Sequence, residues 1–315
     1  MCGACRRREA GSVLETETYQ QEAALPAEGS TTNSRTNSKT KGTAWYLAMA
    51  FGGCWAYILT ARFGCGLSMV NPLVQLPFGV MPALAAFVVR RWITREGFAD
   101  AGLALRLRSG WPYYLVAWLG PLVIAGASCG LAAVLGLWRP DLAALDELAG
   151  GMPAWAFVAT LMLVVPILTP IYAGEEFGWT GYLRQRLFPG RPLLATAATG
   201  LIWASWHFPL ALTDYISFAR PLIGLAVWTG SFLLQEALLA WLFTRSRSIW
   251  PVSLAHAGNN MVLFLITGTL LGSEGGTGTG GGLGVTGVAL MTVAPMAVAC
   301  ACTMLPARRA RQRSS

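Results

Sequence analysis

Five side chains in this sequence pair acid–base or hydrogen-bonding chemistry with apolar surroundings: Glu175, Glu176, His207, His256 and Asn260. The two glutamates open the stretch GEEFGWTGYL at 174–183 and follow a run, 148–174, without a charged residue. The chain has two histidines, His207 in LIWASWHFPL and His256 in SLAHAGNNM, and its tails and loops have none. Ionisable groups inside such runs are costly to desolvate, which makes them the first candidates for function. A carboxylate and an imidazole in a dry pocket can activate a water molecule. A second imidazole and a carboxamide can hydrogen-bond the oxyanion that develops on a peptide carbonyl. The same groups could instead hold Zn²⁺ through Glu175, His207 and His256, leaving one position open for water. Both arrangements point to amide hydrolysis. Each residue taken singly also has a plainer reading: a helix-packing hydrogen bond for a histidine, an interfacial position for the glutamates, or a transporter's proton relay. Glu236, in another apolar run, has no partner motif and reads as a structural hydrogen-bonding group.

Spacing narrows the geometry. His256 and Asn260 are four apart, and so are Trp203 and His207, so each pair shares a helix face. Adjacent Glu175 and Glu176 point about 100° apart, so one faces the site and the other supports it. At 1.5 Å per residue from the nearest basic residue, Glu175 and His256 lie about 16 and 13 Å deep, but His207 about 24 Å. That mismatch asks for a late helix start or a tilt.

The elements that must position these residues are membrane helices. Hydrophobic residues make up 54% of the 315 and charged ones only 12%, about half the share of a soluble domain. Apolar runs of bilayer-crossing length recur, giving an all-α polytopic protein of about eight spans: 44–61, 68–89, 112–138, 153–174, 192–212, 221–244, 249–271 and 285–305. Counting loops alternately, twenty of the 23 basic residues fall on one side and only Arg62, Arg139 and Arg220 on the other. The positive-inside rule then places both termini in the cytoplasm. The net charge of +8 is accounted for by topology and anionic lipid, without nucleic acid.

The expected organisation is a disordered cytoplasmic tail at 1–43, N-terminal transmembrane helices at 44–150 and a core at 151–271. A Gly-rich loop at 272–284, a last helix at 285–305 and a basic cytoplasmic tail at 306–315 follow. The loop GSEGGTGTGGGLG lacks the Lys-Ser/Thr of a phosphate-binding loop. Cys2 and Cys5 form a lone CxxC, either half a metal site or a site of S-acylation, and the seven cysteines suggest no disulfide framework.

Together EEFGWT from Glu175, WASWH at 203–207 and HAGNN from His256 resemble the ordered motifs of the CPBP family, the CAAX proteases and bacteriocin-processing enzymes. The likeness covers about residues 150–270. It implies an intramembrane metalloendopeptidase-like fold acting on membrane-associated, including prenylated CAAX-type, peptides in the lipid bilayer. It also implies that Glu175 is the essential carboxylate, that His207 shares activation of the water, and that His256 and Asn260 polarise the scissile carbonyl. Glu176 matches a supporting carboxylate, and Trp203 stands where Phe is common, an exchange expected to be harmless. One departure matters: Thr180 occupies the position of the family's Arg in EExxxR. Either Arg184 one turn on replaces it, or Glu176 is protonated, or activity is weakened. The alternative function is a non-catalytic membrane immunity or scaffold protein that retained the pocket. A proton-coupled transporter would call for an internal repeat, and no clear one is seen.

Overall fold

The computed structural model describes residues 28–272 and 283–312, so Cys2, Cys5 and most of the Gly-rich loop lie outside the described residues. The chain divides into two compact units, 1–41 and 42–315. The first is described only as the start of a helix; the candidate site lies within the second.

The described residues are all-α. α1 spans Glu28–Leu59, α2 Pro72–Val88, α3 Leu107–Val134, a short α4 Ala143–Leu148 and α5 Ala154–Gly178. α6 spans Pro192–His207, α7 Pro221–Ser246, α8 Ile249–Gly258, α9 Leu265–Gly272 and α10 Gly284–Gln312. The chain is a polytopic membrane protein: among the described residues seven segments, against the eight expected, are long and apolar enough to cross a bilayer. Large apolar side chains such as Leu73, Leu163, Ile167, Leu193 and Leu222 are exposed on their outer faces, where lipid would cover them.

Two boundaries differ from the expected ones. The segment expected to span at 192–212 is a 16-residue α-helix followed by a 3₁₀ turn, Phe208–Leu212. Pro209 has no N–H to donate into an α-helix and crowds the preceding turn, so the α-helix ends at His207. At the other end, α1 reaches back to Glu28, into the segment expected to be a disordered tail. Extending an existing helix avoids the nucleation cost that would keep this polar sequence unfolded alone.

The site's position follows from packing. α5 packs against α2 and α8, α6 against α7, and α3 against both α8 and α10. The segment Ile249–Gly272 is the most enclosed: 67% of its apolar window is buried, against at most 39% elsewhere. It is the central helix of the bundle. Its start is fixed by Ser248, whose hydroxyl accepts from the Trp250 amide and donates to the Ala104 carbonyl. Close approach elsewhere needs glycine. A Cβ on Gly178 would lie 2.5 Å from Pro82 Cβ, and one on Gly258 would lie 2.7 Å from Pro121 Cγ. Glycine at these points lets α2 meet α5 and α3 meet α8 just beyond the candidate carboxylates and His256.

The loop after α2 is tied to the residues after α5 by charge. Fully buried Arg90 donates to Asp100 at 2.6 Å and to the carbonyls of Gly97 and Gly181, while Arg186 bridges Glu96 at 2.7 Å and Asp100 at 3.4 Å. Partial burial alone would raise the Asp100 carboxyl, but the Arg90 hydrogen bond and charge, with Arg186, hold it below the usual carboxylate range.

Two outcomes follow for purified protein. Gly178→Ala should lower stability by about 1–3 kcal/mol through overpacking against Pro82, read as a reduced Tm. A depressed carboxyl stabilises above its ordinary pKa, about 4, and that contribution disappears as pH falls through the folded value. The Tm difference between wild type and Asp100→Asn should therefore be present at neutral pH and shrink in acid.

Candidate active site

The site is assembled from the C-terminal end of α5, the last turn of α6, the middle of α7 and the end of α8. Glu175 and Glu176 close α5 and are both buried, at 7% and 1% exposure. A π turn, Trp179–Leu183, follows them directly, and a second, Asn259–Phe264, follows α8 just past His256. Such widened turns are common where a helix must re-aim side chains at a functional site.

The two carboxylates are held differently. Glu175 Oε2 accepts from the Trp203 indole N–H at 3.3 Å, and Glu175 Oε1 faces the bare backbone of Gly79, where a Cβ would lie at 3.6 Å. Glu176 has its oxygens engaged: Oε2 accepts from the Thr180 hydroxyl at 2.6 Å and Oε1 pairs with His256 Nδ1 at 2.9 Å. The family's Arg position is thus filled by a hydroxyl that serves the same carboxylate. Arg184 does not take its place. Its guanidinium turns to Glu236 on α7 at 3.7 Å and lies over the Phe243 ring at 4.9 Å. Glu236 thereby has a structural partner.

In both imidazoles Nδ1 is engaged, which leaves Nε2 as the free ring nitrogen. His207 Nδ1 lies 2.9 Å from the Trp203 carbonyl, which only accepts, so Nδ1 carries the proton and Nε2 keeps a lone pair. That bond folds the ring back by one turn toward Trp203. α6 begins at Pro192, so the helix does not start late, and side chains tilted toward a helix's N-terminus narrow the depth mismatch only in part. On His256, Nδ1 faces a carboxylate and therefore carries a proton; only when the ring is protonated on Nε2 as well does Nε2–H become a donor.

Trp203 joins the set. Its ring centroid lies 5.1 Å from that of His256, 5.9 Å from His207 and 4.7 Å from Phe232, while its N–H holds Glu175. The expectation that Trp for Phe is a neutral exchange misses this bond, which phenylalanine cannot make. Its signal was the indole nitrogen itself. Tyr172, not singled out in the sequence, lies 4.9 Å from the His256 ring and in reach of Asn260. Asn260 is exposed at the rim and meets the site by way of Tyr172, whereas its neighbour Asn259 is buried and donates to Gln235 at 3.3 Å.

Glu175, His207 and His256 were the residues that would hold zinc. Among the described residues no three His, Cys, Asp or Glu are grouped so as to hold a metal ion. Both Nδ1 atoms and one oxygen of Glu175 have protein partners, so the Nε2 atoms of His207 and His256 and the other Glu175 oxygen are the atoms that would hold a metal. No chemical step is routed through a metal.

The local prediction concerns Thr180. Thr180→Val removes a donor from a buried carboxylate and should lower stability by about 1.5–3 kcal/mol, while Thr180→Ser should be close to wild type in thermal unfolding.

Residues 152–262 match the family model described as Type II CAAX prenyl endopeptidase Rce1-like. The matched segment contains all of the residues placed above on α5, α6, α7 and α8, and it is the same part of the chain in which the three motifs resemble the CAAX proteases. No curated protein sequence matches the chain.

Proposed function

We propose that this protein is a membrane-embedded endopeptidase, hydrolysing peptide bonds of membrane-associated substrates with a water activated by Glu175 and His207. The observation that carries the reading is the Trp203 indole, which binds the Glu175 carboxylate while lying against both imidazoles. Two helix ends and a central helix are thereby brought to one buried point. The family match over the same residues supports protease chemistry there.

The chain's own groups divide the work. Glu175 takes a proton from the attacking water, with the His207 Nε2 lone pair as a second acceptor that orients it. His256 Nε2–H donates to the carbonyl oxygen as negative charge develops, and Asn260 at the rim adds a further donor. Glu176 does not touch the reacting atoms. It is the positioning residue that fixes the His256 ring through Nδ1, helped by Thr180. The proton held by Glu175 then passes to the leaving amine.

The substrate reading rests on surroundings. An apolar cavity of about 570 Å³ lies immediately after His207 in the chain, lined by Trp55, Leu59, Phe208, Leu212, Phe218 and Leu225. Walls of this kind suit a peptide carrying an apolar or lipid chain, and prenylated CAAX-type peptides are the first substrates to test. The distribution of basic residues implies cytoplasmic termini, which places this cavity, beside Arg62 and Arg220 in the chain, toward the opposite face of the membrane.

In purified protein, Glu175→Gln and His207→Ala should each reduce cleavage of a prenylated peptide by about 10²–10⁴-fold while leaving the thermal unfolding profile folded-like. Turnover retained in either variant would remove the catalytic assignment and favour a non-catalytic membrane partner.

A further inference from the structure

Hydrolysis in a lipid-surrounded site needs a route for water, and the polar atoms that the mechanism does not use mark one. Seven buried side-chain atoms have no hydrogen-bond partner among the described residues. Five of them belong to side chains that touch in series: the Nε atoms of Arg90 and Arg186, the hydroxyls of Tyr182 and Tyr46, and the ring nitrogen of Trp179. The Arg186 guanidinium lies 4.0 Å from the Tyr182 ring centroid and that of Arg90 lies 5.4 Å away. Tyr182 in turn packs on Tyr46 at 4.9 Å, and Tyr46 on Trp179 at 5.9 Å. At the inner end, Tyr46 and Trp179 lie within electrostatic reach of the Glu175 carboxylate. At the outer end, the arginines pair with Asp100, whose side chain is 53% exposed.

Tyr46, Trp179 and Tyr182 are each at most 1% exposed, yet none of their polar atoms completes a hydrogen bond: the Tyr46 hydroxyl has no partner among the described residues, while the Trp179 N–H only leans toward Glu175 and the Tyr182 hydroxyl toward Arg186. Unpaired donors are rare in folded interiors, and several together in one place are met by ordered water, each molecule needing two to four polar partners. We infer that a file of internal water molecules runs from the Arg90–Asp100–Arg186 cluster past Tyr182 and Tyr46 to Glu175, and that it delivers the water consumed in each turnover. Tyr46 sits on α1, outside the segment that matches the protease family. The N-terminal helices therefore contribute to the chemistry by hydrating it. The delivery role rests on the hydrolytic reading of the site; the water file itself does not.

The test separates the two. The purified full chain in lipid nanodiscs is exposed to X-ray-generated hydroxyl radicals, which modify side chains next to bound water even when they are buried. Tyr46 and Tyr182 should be labelled at rates comparable to exposed Tyr215, while Trp206, equally buried but bonded to the Ala50 carbonyl, should stay protected. Labelling of Tyr46 and Tyr182 as low as that of Trp206 overturns the inference. Second, Tyr46→Phe and Tyr182→Phe keep the ring and remove only the hydroxyl. With water in the file, kcat for peptide cleavage should fall about tenfold at unchanged KM, and Tm should not rise. A raised Tm would mean that the hydroxyls were dry, and an unchanged kcat would mean that the water supplies nothing; either result sinks delivery. If Glu175→Gln still cleaves peptide while Tyr46 is labelled, the hydrolytic assignment of Glu175 fails and the water file stands.

Discussion

Three carboxylates buried among apolar helices are the constraint around which this molecule is arranged. A carboxylate removed from water must be met by donors or charge. Here each is met from a different direction: Glu175 by Trp203 on α6, Glu176 by His256 on α8 and Thr180 on its own helix, and Glu236 by Arg184 from the segment after α5. The end of α5 is thereby tied to α6, α7 and α8 at once. In lipid, where there is little hydrophobic drive between helices, such polar ties and close packing decide which faces meet. The site and the helix arrangement therefore have a common cause.

Close packing completes the arrangement. Gly178 admits Pro82 one turn beyond the carboxylates, and Gly258 admits Pro121 just beyond His256. Between these contacts the aromatic rings of Trp203, Phe232 and Trp206 surround His207 at 4.6–5.9 Å and leave its imidazole little freedom. A mobile side chain would have to be ordered at every turnover; one caged by rings and a backbone carbonyl is already in place. The charge cluster of Arg90, Glu96, Asp100 and Arg186 acts on the same helix from outside, holding the π turn after Glu176 through the Gly181 carbonyl.

Much of this was legible in the residues. Apolar runs revealed the membrane helices because a bilayer imposes a length and forbids unpaired backbone, and ordered motifs picked out Glu175, His207 and His256 because charge in such runs is rare. What escaped had physical reasons. The shortness of α6 depends on one proline, Pro209, whose effect hydropathy averages out. The Thr180 substitution read as a loss, since a sequence shows missing charge but not a hydroxyl 2.6 Å from the carboxylate it serves. Trp203 read as an aromatic filler, since its N–H matters only once Glu175 is opposite. The four-residue spacing of His256 and Asn260 shows a shared face but not that Asn260 reaches Tyr172.

The enclosure of the central helix bears on how the chain is made. Its hydropathy of 1.3 is near the low end among the spans, and it carries His256, Asn259 and Asn260, so alone it is a poor candidate to leave the translocon for lipid. It is joined to α7 by only Arg247 and Ser248, with Arg247 in the left-handed conformation that turns the chain back sharply. The two segments are built to enter the bilayer as one hairpin, the more apolar α7 carrying its polar neighbour across and shielding it until the remaining helices close around it.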